Sequence, residues 1–187
     1  MVWDNQKLIE ILKDGGVAVM PTDTLYGIVG RAEDRNVVEK IYKIRKRASE
    51  KPCIILLGDI SELKKFGIVL TDMEQKEIEK LMEPTSFVLD YKENLRNEKF
   101  LYLHRGMKSL VFRVPAPQAL RDLLLEVGPL IAPSANIEGL PPAKNILEAK
   151  EYFGDSVDLY VDGGNLADKA SKIIKLHKDH LPAPHKH

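Results

Sequence analysis

Cysteine is nearly absent from this 187-residue chain: Cys53 stands alone, so neither an internal disulfide nor a CxxC metal site can form. It falls in the apolar run Cys53-Ile54-Ile55-Leu56-Leu57, which predicts a buried structural thiol and makes zinc unexpected. No run of about 18 apolar residues occurs, which removes a membrane-spanning helix. The opening Met1-Val2-Trp3-Asp4-Asn5 has neither the basic nor the apolar region of a secretory leader, so the expected compartment is cytoplasmic. Net charge is missing too: 28 Lys+Arg balance 28 Asp+Glu, which argues against a uniformly basic nucleic-acid-binding surface and makes any anion site local. Of the 5 histidines, only His104 lies outside the tail; no Ser-His-Asp arrangement, metal-ligand cluster or Walker A sequence is visible, and Gly163-Gly164 is too short a signal for a nucleotide loop.

What remains is an ordinary globular composition, 44% hydrophobic and 30% charged, suited to one domain over residues 1–176, with 177–187 as a loose tail. Leu8, Ile9, Ile11 and Leu12 predict a helix stopped by Gly15-Gly16, and Val17 to Met20 a short buried strand ended by Pro21. Pro21 to Gly30 then reads as a polar loop. Its hydroxyls either cap a turn, with Gly27 and Gly30 supplying positive φ, or face a ligand past a strand end.

Val37, Val38, Ile41, Tyr42 and Ile44 form a helical stripe, capped by Asp34 or Asn36 and ending in the basic Arg45-Lys46-Arg47. Strands are expected at Cys53–Leu57, Ser86–Leu89, Leu110–Val114, Leu130–Ala132, Leu159–Val161 and Ile173–Ile174. Helices are expected from Ser61 to Gly67, from Asp72 through Lys80, and after Pro117; Tyr91 to Lys108 gives no clear pattern. Mixed elements of these lengths indicate an α/β domain around one twisted sheet.

Four segments resemble one family in order: Pro21 to Gly30 its PT-[ED]-T-x-YG-[LI]-x-G segment, Arg45-Lys46-Arg47 its K-x-R, Val111 to Pro115 its V-x-R-x-P, and Ser134-Ala135-Asn136 its SAN. The chain thus resembles the YrdC/Sua5 family of threonylcarbamoyl-AMP synthases, from about Leu8 to Lys175. That resemblance implies a mixed twisted sheet with a concave positive surface. It implies a nucleotidyltransferase joining L-threonine, bicarbonate or CO2, and ATP with Mg2+, whose product serves t6A modification of tRNA through a separate transferase complex. Alternatives are a non-catalytic module holding double-stranded RNA or tRNA, or a carbamoyltransfer domain like that of hydrogenase-maturation proteins.

By the same matching, Arg45 and Arg47 are the expected catalytic charges. Thr24, Arg113, Ala132 and Ser171 would contact threonine, and Arg47, Lys51, Ser109, Ser134, Asn136 and Pro142 would contact ATP. The chemistry suits these types, since guanidinium forks pair with phosphates and carboxylates while hydroxyls and amides orient polar ligands. From the residues alone, Arg45 to Arg47 is equally a solvated helix end, Ser134 to Asn136 a capping turn, and Arg113 one half of a salt bridge. The chain departs from the family at Arg45 (for Lys), Glu83 (for Gly), Ser86 (for Thr), Glu138 (for Ser) and Lys172 (for Thr). Glu138 would bring a carboxylate near a polyphosphate.

Overall fold

An asparagine opens the first helix: Asn5 accepts the Leu8 N–H at 3.2 Å and caps α1 (Gln6–Lys13), which buries Leu8, Ile9 and Leu12. The computed structural model describes residues 2–48, 50–80, 84–90, 98–166 and 171–176; Glu83 and the expected tail lie outside them. After Gly15, at φ 78°, come β1 (Ala18–Pro21) and β2 (Tyr26–Arg31), an antiparallel hairpin. The polar loop expected through Gly30 is therefore only the turn 22–25, and Pro21 is the last residue of β1, opposite Tyr26.

Gly27 and Gly30 are strand residues and carry no positive φ. What they supply is closeness: a Cβ on Gly30 would run into the Val37 side chain, and one on Gly27 would lie 3.1 Å from Thr22 Cγ2. Gly30 thus lets α2 (Arg35–Ile44) lie directly on the sheet. That helix is capped by Asp34, which accepts from Asn36 and Val37 N–H, and buries Val37, Val38, Ile41 and Tyr42.

The remaining strands are β3 (Ile54–Leu56), β4 (Thr85–Asp90), β5 (Ser109–Arg113), β6 (Leu130–Ile131), β7 (Leu159–Tyr160) and β8 (Lys172–Lys175), each within a residue or two of its expected place. Between them run a 3₁₀ segment (Ile60–Phe66) stopped by Gly67 in the left-handed region, and α3 (Asp72–Glu79) with a reciprocal Thr71/Glu74 capping box. They are followed by α4 (Leu101–His104), α5 (Gln118–Val127) and α6 (Ile146–Phe153). α6 is absent from the sequence reading, although Asn145 caps it and Ile146, Ala149 and Phe153 are buried at helical spacing.

One eight-stranded sheet results, ordered β7-β1-β2-β6-β3-β5-β4-β8, parallel at β1/β7, β3/β5 and β4/β8 and antiparallel elsewhere. Alternation along the strands sends side chains to two cores. Val19, Ile28 and Ile55 join Val37, Ile41, Phe87 and Phe112 on one face; Met20, Val29 and Leu56 join Leu8, Leu12, Leu120 and Leu124 on the other. This is the mixed α/β architecture expected. Among the described residues no helix is long and apolar enough to cross a membrane.

Candidate active site

Two-residue β6 sits between β2 and β3 and releases the chain at Ala132, whose N–H donates to Ile54 O at 2.9 Å. The following Pro133-Ser134-Ala135-Asn136 then runs beside β2. Ile28 N–H donates to Pro133 O at 3.0 Å and Ala135 N–H to Tyr26 O at 2.8 Å, a pairing that fixes where Ser134 stands. Next to it the turn after β1 is drawn tight. Thr22 Oγ1 donates to Leu25 O at 2.7 Å and accepts from the N–H groups of Thr24 and Leu25, leaving Thr24 Oγ1 at 3.3 Å from Thr22 Oγ1.

These segments enclose a cavity of about 190 Å³. Of the residues expected in the site, Thr24, Arg113, Ala132, Ser134, Pro142 and Ser171 line it. They come from five places in the sequence. Ser171, just before β8, shares a 2.9 Å hydrogen bond with the fully buried Ser86 on β4. Tyr26 closes another side: its hydroxyl donates to Gly164 O and accepts from Gly163 N–H, each at 2.8 Å, and burial pushes its pKa up.

Arg113 is not left waiting for a ligand. Its Nη2 lies 2.9 Å from Asp23 Oδ1, with both side chains almost wholly enclosed. The sequence reading gave Asp23 no role, although it is the one charge between Pro21 and Gly30. The pair is in charge contact without aligned hydrogen bonds: both Asp23 carboxylate oxygens and Arg113 Nε lack a hydrogen-bond partner. Burial pulls the Arg113 pKa down, and Asp23 opposes that shift. Buried polar groups normally find partners, so unused capacity beside a cavity marks a place for a polar ligand.

Arg45, at the end of α2, is equally buried but points inward to the Ser134 segment. Its Nε donates to Asn136 O at 3.1 Å, and its Nη2 to Asn136 Oδ1 at 3.1 Å and Ser134 Oγ at 3.4 Å. Asn136 spends its remaining amide capacity on Ile137 O and Leu140 O, while its Oδ1 also accepts from Ser134 Oγ at 2.6 Å. Arg45 and Asn136 therefore hold the cavity wall from behind and do not line it. Burial, and then neighbouring Arg47, lower the Arg45 pKa.

Arg47 and Lys51 stand on the loop between α2 and β3. Arg47 donates to Lys51 O at 3.2 Å and Pro52 O at 2.9 Å. Lys51 Nζ meets Glu138 Oε1 at 2.5 Å, and Glu138 Oε2 accepts the Ala48 N–H at 2.6 Å. Ser109 is not brought to the cavity. It opens β5 opposite Asp90, four residues and about 13 Å of strand away from Arg113. No group of three or more His, Cys, Asp or Glu among the described residues could hold a metal ion. Cys53 is buried as expected, and burial raises its pKa.

Comparison with known proteins places this geometry. Residues 10–183 match the family model Sua5_yciO_yrdC, described as "Telomere recombination". A Mycobacterium leprae protein is 31% identical over 169 residues, 89% of this chain and 74% of the other. A Pseudomonas fluorescens protein named threonylcarbamoyl-AMP synthase is 27% identical over 177 residues, 92% of each chain. The crystal structure of P. abyssi Sua5 complexed with L-threonine superposes with a TM-score of 0.80 at 24% identity, which shows a shared fold. The match covers 94% of this chain and 52% of that one, so this chain spans about half the length of that protein.

Proposed function

The chain belongs to the Sua5/YciO/YrdC family, and on that premise we propose that it is a threonylcarbamoyl-AMP synthase, joining L-threonine, bicarbonate or CO2, and ATP with release of pyrophosphate. The observation that carries this reading is convergence. Thr24, Arg113, Ala132, Ser134, Pro142 and Ser171, matched to the family motifs from scattered segments, line one cavity with a buried guanidinium in its wall.

In the reaction, bicarbonate takes up a proton and loses water to give CO2, the proton being matched by the one released in the next step. The threonine amine adds to its carbon, forming an N–C bond and releasing a proton. A carbamate oxygen then attacks the α-phosphorus of ATP, the α–β bridging P–O bond breaks, and pyrophosphate leaves with that electron pair. Arg113 would take the threonine carboxylate, and Thr24 and Ser171 would offer hydroxyls to its side chain. Arg47 and Lys51 would meet the phosphates, while Arg45 and Asn136 hold Ser134 in place. With no residue-borne nucleophile required, the protein contributes alignment and charge. Magnesium would arrive on the nucleotide as part of the substrate. The product would serve t6A formation on tRNA through a separate transferase.

Pyrophosphate release with ATP, bicarbonate and each amino acid in turn tests the reading. Threonine should dominate, because a site built to hydrogen-bond a hydroxyl rejects analogues that leave its polar groups unpaired. Equal rates with valine would refute it. RNA binding that falls steeply with salt, without turnover, would favour the binding module instead.

A further inference from the structure

Glu138 stands where the family resemblance places a serine, and its carboxylate is fully engaged by the basic loop. Oε2 accepts the Ala48 N–H at 2.6 Å, Oε1 accepts from Lys51 Nζ at 2.5 Å, and Arg47 immediately precedes Ala48 in the chain. The Glu138 backbone is fixed as well, since its N–H donates to Arg45 O at 2.9 Å. A backbone N–H and an ammonium converging on one anionic group, with a guanidinium nearby, is the donor set that phosphate oxygens use. The two segments do not depend on Glu138 to stay together, because Arg45 joins them independently through three hydrogen bonds to Ser134 and Asn136. The carboxylate can leave without undoing the wall of the cavity. It is partly exposed, and those same contacts, Lys51 first, hold its pKa below the ordinary glutamate value, so it is an anion at neutral pH.

We propose that Glu138 is an internal anion seated on the phosphate-binding donors of the basic loop, so that a polyphosphate binds only by displacing it. This rests on the ATP reading above and adds to it a residue that sets nucleotide affinity. If the displaced arrangement is about one-tenth populated, intrinsic affinity is masked roughly tenfold.

Calorimetric titration of the full chain with inorganic tripolyphosphate, and separately with ATP, tests this. Glu138→Gln, which keeps shape and removes charge, should bind tripolyphosphate roughly tenfold more tightly than the native chain. Glu138→Asp, which keeps charge but shortens reach, should fall between. In the native chain, the Ala48 amide resonance should move on saturation with tripolyphosphate as its acceptor changes. Unchanged or weaker binding in a folded Glu138→Gln variant would overturn the proposal and make Glu138 a clamp between two loops. Should that variant not fold, an Ala48 resonance that stays in place in the native chain would overturn it equally. The synthase reading fails separately: tighter tripolyphosphate binding without threonine-dependent pyrophosphate release keeps Glu138 in its role and removes the reaction, whereas turnover with equal affinities does the reverse.

Discussion

Arg113 Nη2 and Asp23 Oδ1 stand 2.9 Å apart in an ion pair whose side chains are 4% and 2% exposed. The charge proposed to read threonine is thus already compensated by a residue of the adjacent turn. Removing one member of a buried pair strands the other, at a cost of about 3 to 5 kcal/mol. Asp23→Asn should therefore lower Tm by roughly 6 to 20 °C for a chain of this size. Millimolar L-threonine should recover more of that loss than it adds to the native chain, because its carboxylate supplies the missing charge. Scanning calorimetry with and without threonine checks both; equal threonine shifts in the two proteins would detach Arg113 from the substrate.

Asn136 and Arg47 should separate stability from binding. Asn136→Ala leaves the buried Arg45 guanidinium short of an acceptor and should cost about 1 to 3 kcal/mol of stability, read by urea denaturation. Arg47→Ala, on the partly exposed loop, should cost less than about 1 kcal/mol while weakening ATP binding roughly tenfold or more. Two variants with the same stability loss and unchanged ATP affinity would make the basic segment an ordinary helix end.

Gly30→Ala should destabilise by about 1 to 3 kcal/mol through crowding of Val37 against the sheet, even though the backbone there suits alanine. Equilibrium denaturation is the measurement. No loss of stability would mean that α2 can move off β2.

Much of the layout was legible because it rests on local patterns. The stripe Val37, Val38, Ile41 and Tyr42, the stop at Gly67 and the apolar runs of β3 and β5 are short-range signals. The β1–β2 hairpin was hidden because Gly27 and Gly30 interrupt β2 and read as turn residues, when their actual role is to admit neighbours. Family motifs located Thr24, Arg113, Ser134 and Ser171. Only three dimensions show that Asp23 faces Arg113, that Arg45 grips Asn136, and that Glu138 lies on the basic loop.

Asp158 gives a pH signature in the fold itself. It accepts the Val17 N–H at 2.7 Å and Lys40 Nζ at 2.8 Å. Burial pushes its pKa up, but the Lys40 ammonium and the Val17 N–H outweigh that and leave it below the ordinary aspartate value of 3.8. A folded pKa below the unfolded one gives stability that is complete above the unfolded value and disappears as pH falls through the folded one. With a side chain nearly half exposed, Asp158→Asn should cost only about 1 kcal/mol at pH 7. The gap should close below pH 3.8, as urea melts at several pH values would show. A gap that persists in acid would mean the contact does not depend on charge.

The central claim concerns a covalent product, and mass spectrometry of a quenched reaction with ATP, L-threonine and ¹³C-bicarbonate tests it most directly. An adenylate carrying both threonine and one ¹³C atom, formed in step with pyrophosphate and lost in Arg113→Lys, is the predicted result. Binding of ATP and threonine with no labelled adenylate at any enzyme concentration would contradict it.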